Sequence, residues 1–284
     1  MLCPRNCGVD RAFTTGFCGT GREAVLAFAG LHPWEEPPIS GSRGSGAIFF
    51  GGCNMRCVYC QNHQISRHAA GRTVMPAQLA ALFLELAGQG AHNINLVSAM
   101  HVVPQVAEAI ALARADGLSL PVIYNTNAYE KPETLRLLDG LIDIYLPDLK
   151  YNDDIYAIRY SGAPSYFETA ITAILEMWRQ VGGAVFDADG LARRGLIIRH
   201  LVLPGLRHDS MRILDWIAAH LPDAHVSLMA QYFPAGDAAH IPALHRRITT
   251  FEYDSVVNHF RALGLKNGFT QRRDAATEDY VPAF

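Results

Sequence analysis

Cys53, Cys57 and Cys60 stand at C-x3-C-x2-C spacing in the segment Gly51-Gly52-Cys53-Asn54-Met55-Arg56-Cys57-Val58-Tyr59-Cys60. Three thiolates this close on one loop can hold three irons of a [4Fe–4S] cubane, because soft sulfur suits iron and each iron is tetrahedral. The loop has no fourth cysteine, which leaves one iron for a ligand from outside the protein. The competing chemistry is a closed zinc site completed by His63, although zinc ligands usually arrive as C-x2-C pairs on separate turns. A second trio, Cys3, Cys7 and Cys18, has C-x3-C-x10-C spacing. It is one thiolate short of a closed four-thiolate site. Zinc, an auxiliary iron–sulfur cluster and plain unliganded thiols all stay open for it. No cysteine occurs after Cys60, so the cysteines are clustered rather than spread as a disulfide framework would be, and clustering in an intracellular chain points to metal or redox chemistry.

Such a loop needs rigid elements to position it. After a Gly/Pro/Ser-rich stretch (37–46), short apolar runs alternate with amphipathic segments. Strands are predicted over 47–51, 93–98, 121–125, 142–146, 196–203 and 226–231, with helices over 76–89, 103–116, 132–140, 164–181, 210–221 and 251–263. Pro76 suits a first helical turn, and Asp209 is placed to cap the helix that follows it. Six β-then-α units with near-continuous apolar strands imply an α/β fold with a parallel sheet covered by helices. Six units are too few for a closed eight-stranded barrel, so an open or partial barrel is expected. Ligands then gather at the C-terminal ends of the strands, where the cysteine loop begins. Residues 1–45 read as a Cys-rich N-terminal extension, 46–265 as the barrel and 266–284 as a C-terminal tail. Within the apolar fifth strand, alternation puts Arg199 and His200 on opposite faces. A buried guanidinium must find an anion, so Arg199 is the residue expected to face the interior, with His200 a satisfied structural histidine. The duller reading of Asp148 and Lys150 is a solvated surface pair.

The cysteine loop, with Tyr59 just before the third cysteine, resembles the signature of the radical S-adenosylmethionine (SAM) superfamily. Further segments are similar to uncharacterised homologues of pyruvate formate-lyase activating enzyme: Leu2-Cys3-Pro4-Arg5-Asn6-Cys7-Gly8-Val9-Asp10-Arg11, Gly16-Phe17-Cys18-Gly19, Gly90-Ala91-His92-Asn93-Ile94-Asn95-Leu96-Val97, Asp148-Leu149-Lys150-Tyr151, Arg199-His200-Leu201-Val202-Leu203-Pro204-Gly205 and Ser227-Leu228-Met229-Ala230-Gln231-Tyr232. The resemblance implies a partial (β/α)6 radical SAM barrel, a [4Fe–4S] cluster on Cys53, Cys57 and Cys60, and SAM chelated to the open iron. Reductive cleavage of SAM would then yield a 5′-deoxyadenosyl radical. By the same resemblance Tyr59 lies near the adenine, and Asn125 and Thr126 line the cofactor pocket. Asp148 and Lys150 sit near the methionyl carboxylate, and Arg199 is its forked partner. Relatives often carry Gly-Gly-Glu after the second strand to receive the methionyl amino group. Here Ser98-Ala99-Met100-His101 takes that place, so the Ser98 hydroxyl and backbone carbonyls become the expected substitutes. Relatives also often have a cysteine three places before the position of Cys3. The N-terminal trio would accordingly be completed by a cysteine upstream of Met1, by a histidine or by a partner.

The net charge of −3 and pI near 6.4 lack the basic excess of a nucleic-acid binder. No apolar signal stretch opens the chain and no run is long enough to span a bilayer, which points to the cytoplasm. The expectation is an activating-enzyme-like oxidoreductase with an unidentified protein or small-molecule substrate and a reductant such as flavodoxin or ferredoxin. A glycyl radical would have to reside on a partner protein, because the chain has no C-terminal Arg-Val-x-Gly type loop. The alternative is an electron-transfer or cluster-carrier protein, against which such carriers usually ligate every iron with protein thiolate.

Overall fold

The computed structural model describes residues 1–271. Ten strands and nine α-helices alternate along them. The strands are β1 (Ala24–His32), β2 (Ser45–Phe50), β3 (Arg72–Val74), β4 (Ile94–Val97), β5 (Val122–Thr126), β6 (Ile144–Pro147), β7 (Val185–Phe186), β8 (Ala192–Leu201), β9 (His225–Met229) and β10 (Gly268–Thr270). The helices are α1 (Pro37–Ser40), α2 (His63–His68), α3 (Pro76–Gly88), α4 (Val103–Ala115), α5 (Pro132–Leu135), α6 (Asp154–Ser161), α7 (Tyr166–Val181), α8 (Arg207–His220) and α9 (Thr250–Ala262).

One sheet runs in the order β10-β9-β8-β6-β5-β4-β2-β1-β3, with β7 paired to β8. The stretch from β2 to β10 is parallel, whereas β1 pairs antiparallel with both β2 and β3. The sheet does not close, so the fold is the expected partial barrel. Its six central strands β2, β4, β5, β6, β8 and β9 are the six predicted from apolar runs. β1 and β10, which stand outside the six β-then-α units, come from the segments before residue 46 and after residue 265.

Side chains alternate across the sheet with the period of two that strands impose. Ile48, Leu96, Tyr124, Tyr145, Ile198 and Leu228 face outward into the main core beneath the helices. Ile123, Ile144, Leu146 and Ile197 point inward and pack around Ile39 from α1. The turn carrying α1 therefore fills one end of the barrel interior. At the other end the inward positions become polar, with Asn125 on β5 and Arg199 on β8.

One cap differs from expectation. Asp209 lies inside the first turn of α8, whose N-cap is Leu206. Its carboxylate instead accepts the amides of Asn152 and Asp153 at 2.9 and 3.0 Å. A carboxylate beyond the cap position faces away from its own free amides and serves those of a neighbouring loop.

Candidate active site

The cysteine loop leaves β2 through Gly51 and Gly52. A Cβ on Gly51 would meet the Ala70 carbonyl oxygen at 2.6 Å, and one on Gly52, whose φ is +86°, would meet the Cys18 carbonyl oxygen at 2.5 Å. Only glycines let the chain pass between these backbones. The loop is then pinned to the end of α6, with the Arg56 amide donating to the Ser161 carbonyl at 2.9 Å and the Val58 amide to Tyr160 at 2.8 Å.

Each sulfur has a polar neighbour. Cys53 Sγ accepts from the Met55 amide at 3.4 Å and from Asn127 Nδ2 at 3.5 Å. Cys57 Sγ accepts from Ser161 Oγ at 3.0 Å, and Cys60 Sγ lies 3.3 Å from Ser66 Oγ. Burial pushes the Cys53 thiol up to about 12 and also raises Cys57, against the pull of the Lys150 ammonium. As thiols these groups hold their protons at neutral pH; a bound metal reverses that order, because a coordinating thiol is deprotonated outright.

Cys53, Cys57 and Cys60 share a cavity of about 210 Å³ with Tyr59, Ser98, Asn125, Thr126, Asp148, Lys150 and Arg199. Every residue picked from the sequence for cluster or SAM binding thus lines one space. His63 does not line it and instead places Nδ1 3.2 Å from the Cys60 carbonyl oxygen. Three thiols ranged along a cavity wall suit a cubane, whose irons are held at separate corners. The donor set therefore fits a [4Fe–4S] cluster with one open iron.

The charged side is a network rather than a solvated pair. Lys150 Nζ lies 2.7 Å from Asp148 Oδ2, with both side chains mostly buried. Arg199 Nε donates to Asp148 Oδ1 at 2.8 Å, and Arg199 Nη1 reaches Glu35 Oε2 at 3.1 Å. Burial alone would raise the Asp148 carboxyl, but Arg199 and Lys150 hold it below its usual range. Burial would likewise lower Lys150, and Asp148 more than offsets it. His200 points the other way, with Nδ1 2.7 Å from the Leu149 carbonyl oxygen and Nε2 2.8 Å from Ser210 Oγ.

Ser98 is one of five non-glycine residues among those described with positive φ, at 62°. Strain of this kind gathers at functional sites. Thr126 lines the cavity, but its hydroxyl is committed to Glu130. Tyr59 is buried, its hydroxyl 2.6 Å from that of Tyr151, and Tyr151 continues to Ser161 Oγ at 2.7 Å. A chain of hydroxyls thereby runs from Tyr59 to the Cys57 sulfur.

Sequence reasoning missed Ser161, Tyr151 and the contribution of the N-terminal segment. His32, Trp34 and Glu35 all line the cavity. Glu35 Oε1 accepts from Asn95 Nδ2 at 2.9 Å and Asn125 Nδ2 at 3.2 Å. Glu36, fully buried and raised by that burial, accepts from Ser227 Oγ at 2.9 Å. The available signal was the acidic pair Glu35-Glu36 within an apolar, proline-bearing stretch.

The family model described as the radical SAM superfamily matches residues 47–217. The chain belongs to the radical SAM superfamily. Among curated relatives of this radical SAM chain, the uncharacterized protein MJ0674 of Methanocaldococcus jannaschii is 29% identical over 264 residues, covering 90% of this chain and 72% of that protein. A second from the same organism, the uncharacterized protein MJ0808, is 27% identical over 180 residues, covering 55% of this chain and 50% of its own length. Among solved structures, Streptococcus suis SuiB bound to precursor peptide SuiA superposes with a TM-score of 0.52 at 10% identity, covering 78% of this chain and 46% of SuiB. Methylornithine synthase (PylB) gives a TM-score of 0.51 at 14% identity, covering 74% of this chain and 59% of that one. At such identities these are likenesses of fold. This chain spans about half the length of SuiB. Among the described residues no helix is long and apolar enough to cross a membrane.

Proposed function

We propose that this radical SAM protein is an enzyme that holds a [4Fe–4S] cluster on Cys53, Cys57 and Cys60 and cleaves SAM reductively. The observation that carries this reading is the single cavity in which those three cysteines meet Asn125, Asp148, Lys150 and Arg199. Cys53, Cys57 and Cys60 would hold the cluster, which would supply the electron for reductive cleavage of the SAM sulfonium to methionine and a 5′-deoxyadenosyl radical able to take a hydrogen atom from substrate. The protein contributes position and charge. Ser161, Asn127 and the Met55 amide donate hydrogen bonds to the sulfurs and stabilise the negative charge that reduction adds. Arg199 and Lys150 supply the cationic wall for the methionyl carboxylate, with Asp148 fixing both in place. Ser98 and Glu35 offer oxygen acceptors for the amino group, and Tyr59 an aromatic wall for the adenine. A pure electron carrier has no use for a charged cavity of this size.

The finer reading is an activating-enzyme-like oxidoreductase of the cytoplasm, reduced by a flavodoxin or ferredoxin, whose substrate is a glycine of a partner protein. SuiB was solved with a precursor peptide, which makes a polypeptide substrate a natural first trial.

The test is release of 5′-deoxyadenosine from SAM by anaerobically reconstituted protein reduced with dithionite, beside a Cys57→Ala control. Release that vanishes in the control supports the proposal. Absence of release from protein that has bound iron and SAM, with candidate polypeptides added, would sink it in favour of a carrier.

A further inference from the structure

The N-terminal cysteines lie apart from the SAM cavity. Cys3, Cys7 and Cys18 line a second, smaller cavity of about 70 Å³, and a residue far away in sequence joins them, His101 from the turn after β4. The residue is buried, 2% exposed. Nε2 lies 2.9 Å from the Gly51 carbonyl oxygen, to which it can only donate, so the lone pair is on Nδ1. That Nδ1 is buried without a hydrogen-bond partner. A buried acceptor left unmade is costly, and a ring whose other nitrogen is tied to a backbone carbonyl is the arrangement that orients a metal-ligating histidine.

The thiols are prepared in the same way. Cys7 Sγ and Cys18 Sγ each fall 3.6 Å from the point where a Cβ on Gly16 would stand, so the absent side chain leaves a common space between them. Cys7 Sγ accepts from the Phe17 amide at 3.4 Å, and Cys18 Sγ lies 3.1 Å from Thr20 Oγ1. Arg11 Nη2 is 3.9 Å from Cys18 Sγ, while its Nη1 donates to the His101 carbonyl at 2.5 Å. Three thiolates around a divalent ion leave one net negative charge, and the Arg11 guanidinium is there to balance it.

We infer that Cys3, Cys7, Cys18 and His101 Nδ1 form a closed, tetrahedral Cys3His zinc site that fastens the N-terminal segment to the cysteine loop. Among the described residues the four donors line one cavity without surrounding a common point, so metal binding closes the site by side-chain rotation, with Cys7 the most exposed and freest to turn. Four protein donors leave no open position, which makes the site structural. Its smaller space, against about 210 Å³ for the other cavity, favours one ion over a cubane. The His101 hydrogen bond to Gly51 carries the anchorage to the residue two places before Cys53.

The experiment uses the full chain with Cys53, Cys57 and Cys60 replaced by alanine, so that no metal on the SAM side is counted. Stoichiometric zinc by elemental analysis is expected, falling to a trace when His101→Ala is added and returning with His101→Cys. Cobalt substitution should show tetrahedral thiolate bands that move toward the all-thiolate pattern in His101→Cys. In the unmutated protein, iodoacetamide should label Cys3, Cys7 and Cys18 only after a chelator is added, a readout independent of how the variants fold. Iron with acid-labile sulfide in place of zinc, zinc unaffected by His101→Ala, or equal labelling with and without chelator would each overturn the assignment.

Discussion

Ser161 shows how one hydroxyl tunes a reactive group. It donates to Cys57 Sγ at 3.0 Å and is itself tied to Tyr151. Hydrogen bonds to cluster sulfur favour the reduced, more negative state. Ser161→Ala should therefore shift the cluster's reduction potential downward and slow SAM cleavage with a weak reductant more than with dithionite. Redox titration followed by electron paramagnetic resonance reads the shift, and an unchanged potential would remove Ser161 from this role. Glu130 illustrates a residue whose charge is suppressed. Burial pushes its carboxyl up to about 7, although Thr126 and Tyr124 donate to it. The folded state thus keeps a proton that the unfolded chain gives up near its ordinary value. The stability this provides is full below about pH 4.5 and is lost as the pH rises through 7, a change of about 3 kcal/mol. Glu130→Gln, neutral at every pH, should flatten that dependence in urea unfolding between pH 5 and 8. Parallel curves for the two proteins would refute the protonated assignment.

At the scale of elements, the exit of β2 is the tightest point. Gly52→Ala puts a methyl 2.5 Å from the Cys18 carbonyl oxygen at a φ of +86°. The expected cost is about 2–3 kcal/mol with a fall in iron retained after reconstitution, measured by thermal unfolding and iron assay. Unaltered stability and iron content would show that the loop can yield. The sequence made this strand–loop unit readable because β2, β5 and β6 are short apolar runs that end in, or are followed by, chemistry-bearing residues. Arg199 and His200 could be assigned to opposite faces because strand alternation is strictly local. Glu35, by contrast, gains its meaning from Arg199, 164 residues away, and no local periodicity carries that information. His101 reads as an ordinary core histidine until the fold sets it in one cavity with Cys3, Cys7 and Cys18. β1 carries an apolar run of its own, Ala24 to Leu31, but it lies antiparallel to both its neighbours and ahead of the Gly/Pro/Ser-rich stretch, so it belongs to none of the β-then-α units by which the other strands are read. Asp209 belongs to the same class: its capping chemistry is legible, but the amides it serves are brought to it by tertiary structure. The part of the predicted C-terminal tail beyond residue 271 lies outside the described residues.

For the whole molecule, cofactor binding and folding stability are linked. A ligand present at a hundred times its dissociation constant stabilises the folded state by about 2.7 kcal/mol. In cluster-loaded protein, SAM should raise the thermal midpoint by several degrees, and Arg199→Ala should remove most of that rise while leaving iron content intact. A full shift in the variant, followed by scanning fluorimetry under anaerobic conditions, would place the carboxylate elsewhere. Because Arg199 also balances Asp148 and Glu35, its loss should lower the stability of the SAM-free protein too, so the comparison is the ligand-induced shift in each protein.

The acidic pair on the turn into α1 also sets a timetable for synthesis. Glu35 and Glu36 are made early, yet Glu36 bonds to Ser227, 191 residues later. A ribosome adding about 5–20 residues per second must work for roughly ten seconds or more before that partner emerges. Throughout that interval the nascent chain holds two carboxylates with no barrel to enter and a cysteine loop with no opposing wall. Cluster delivery that waited for chain release would meet a finished pocket, whereas delivery to the growing chain would meet bare thiols exposed to oxidants.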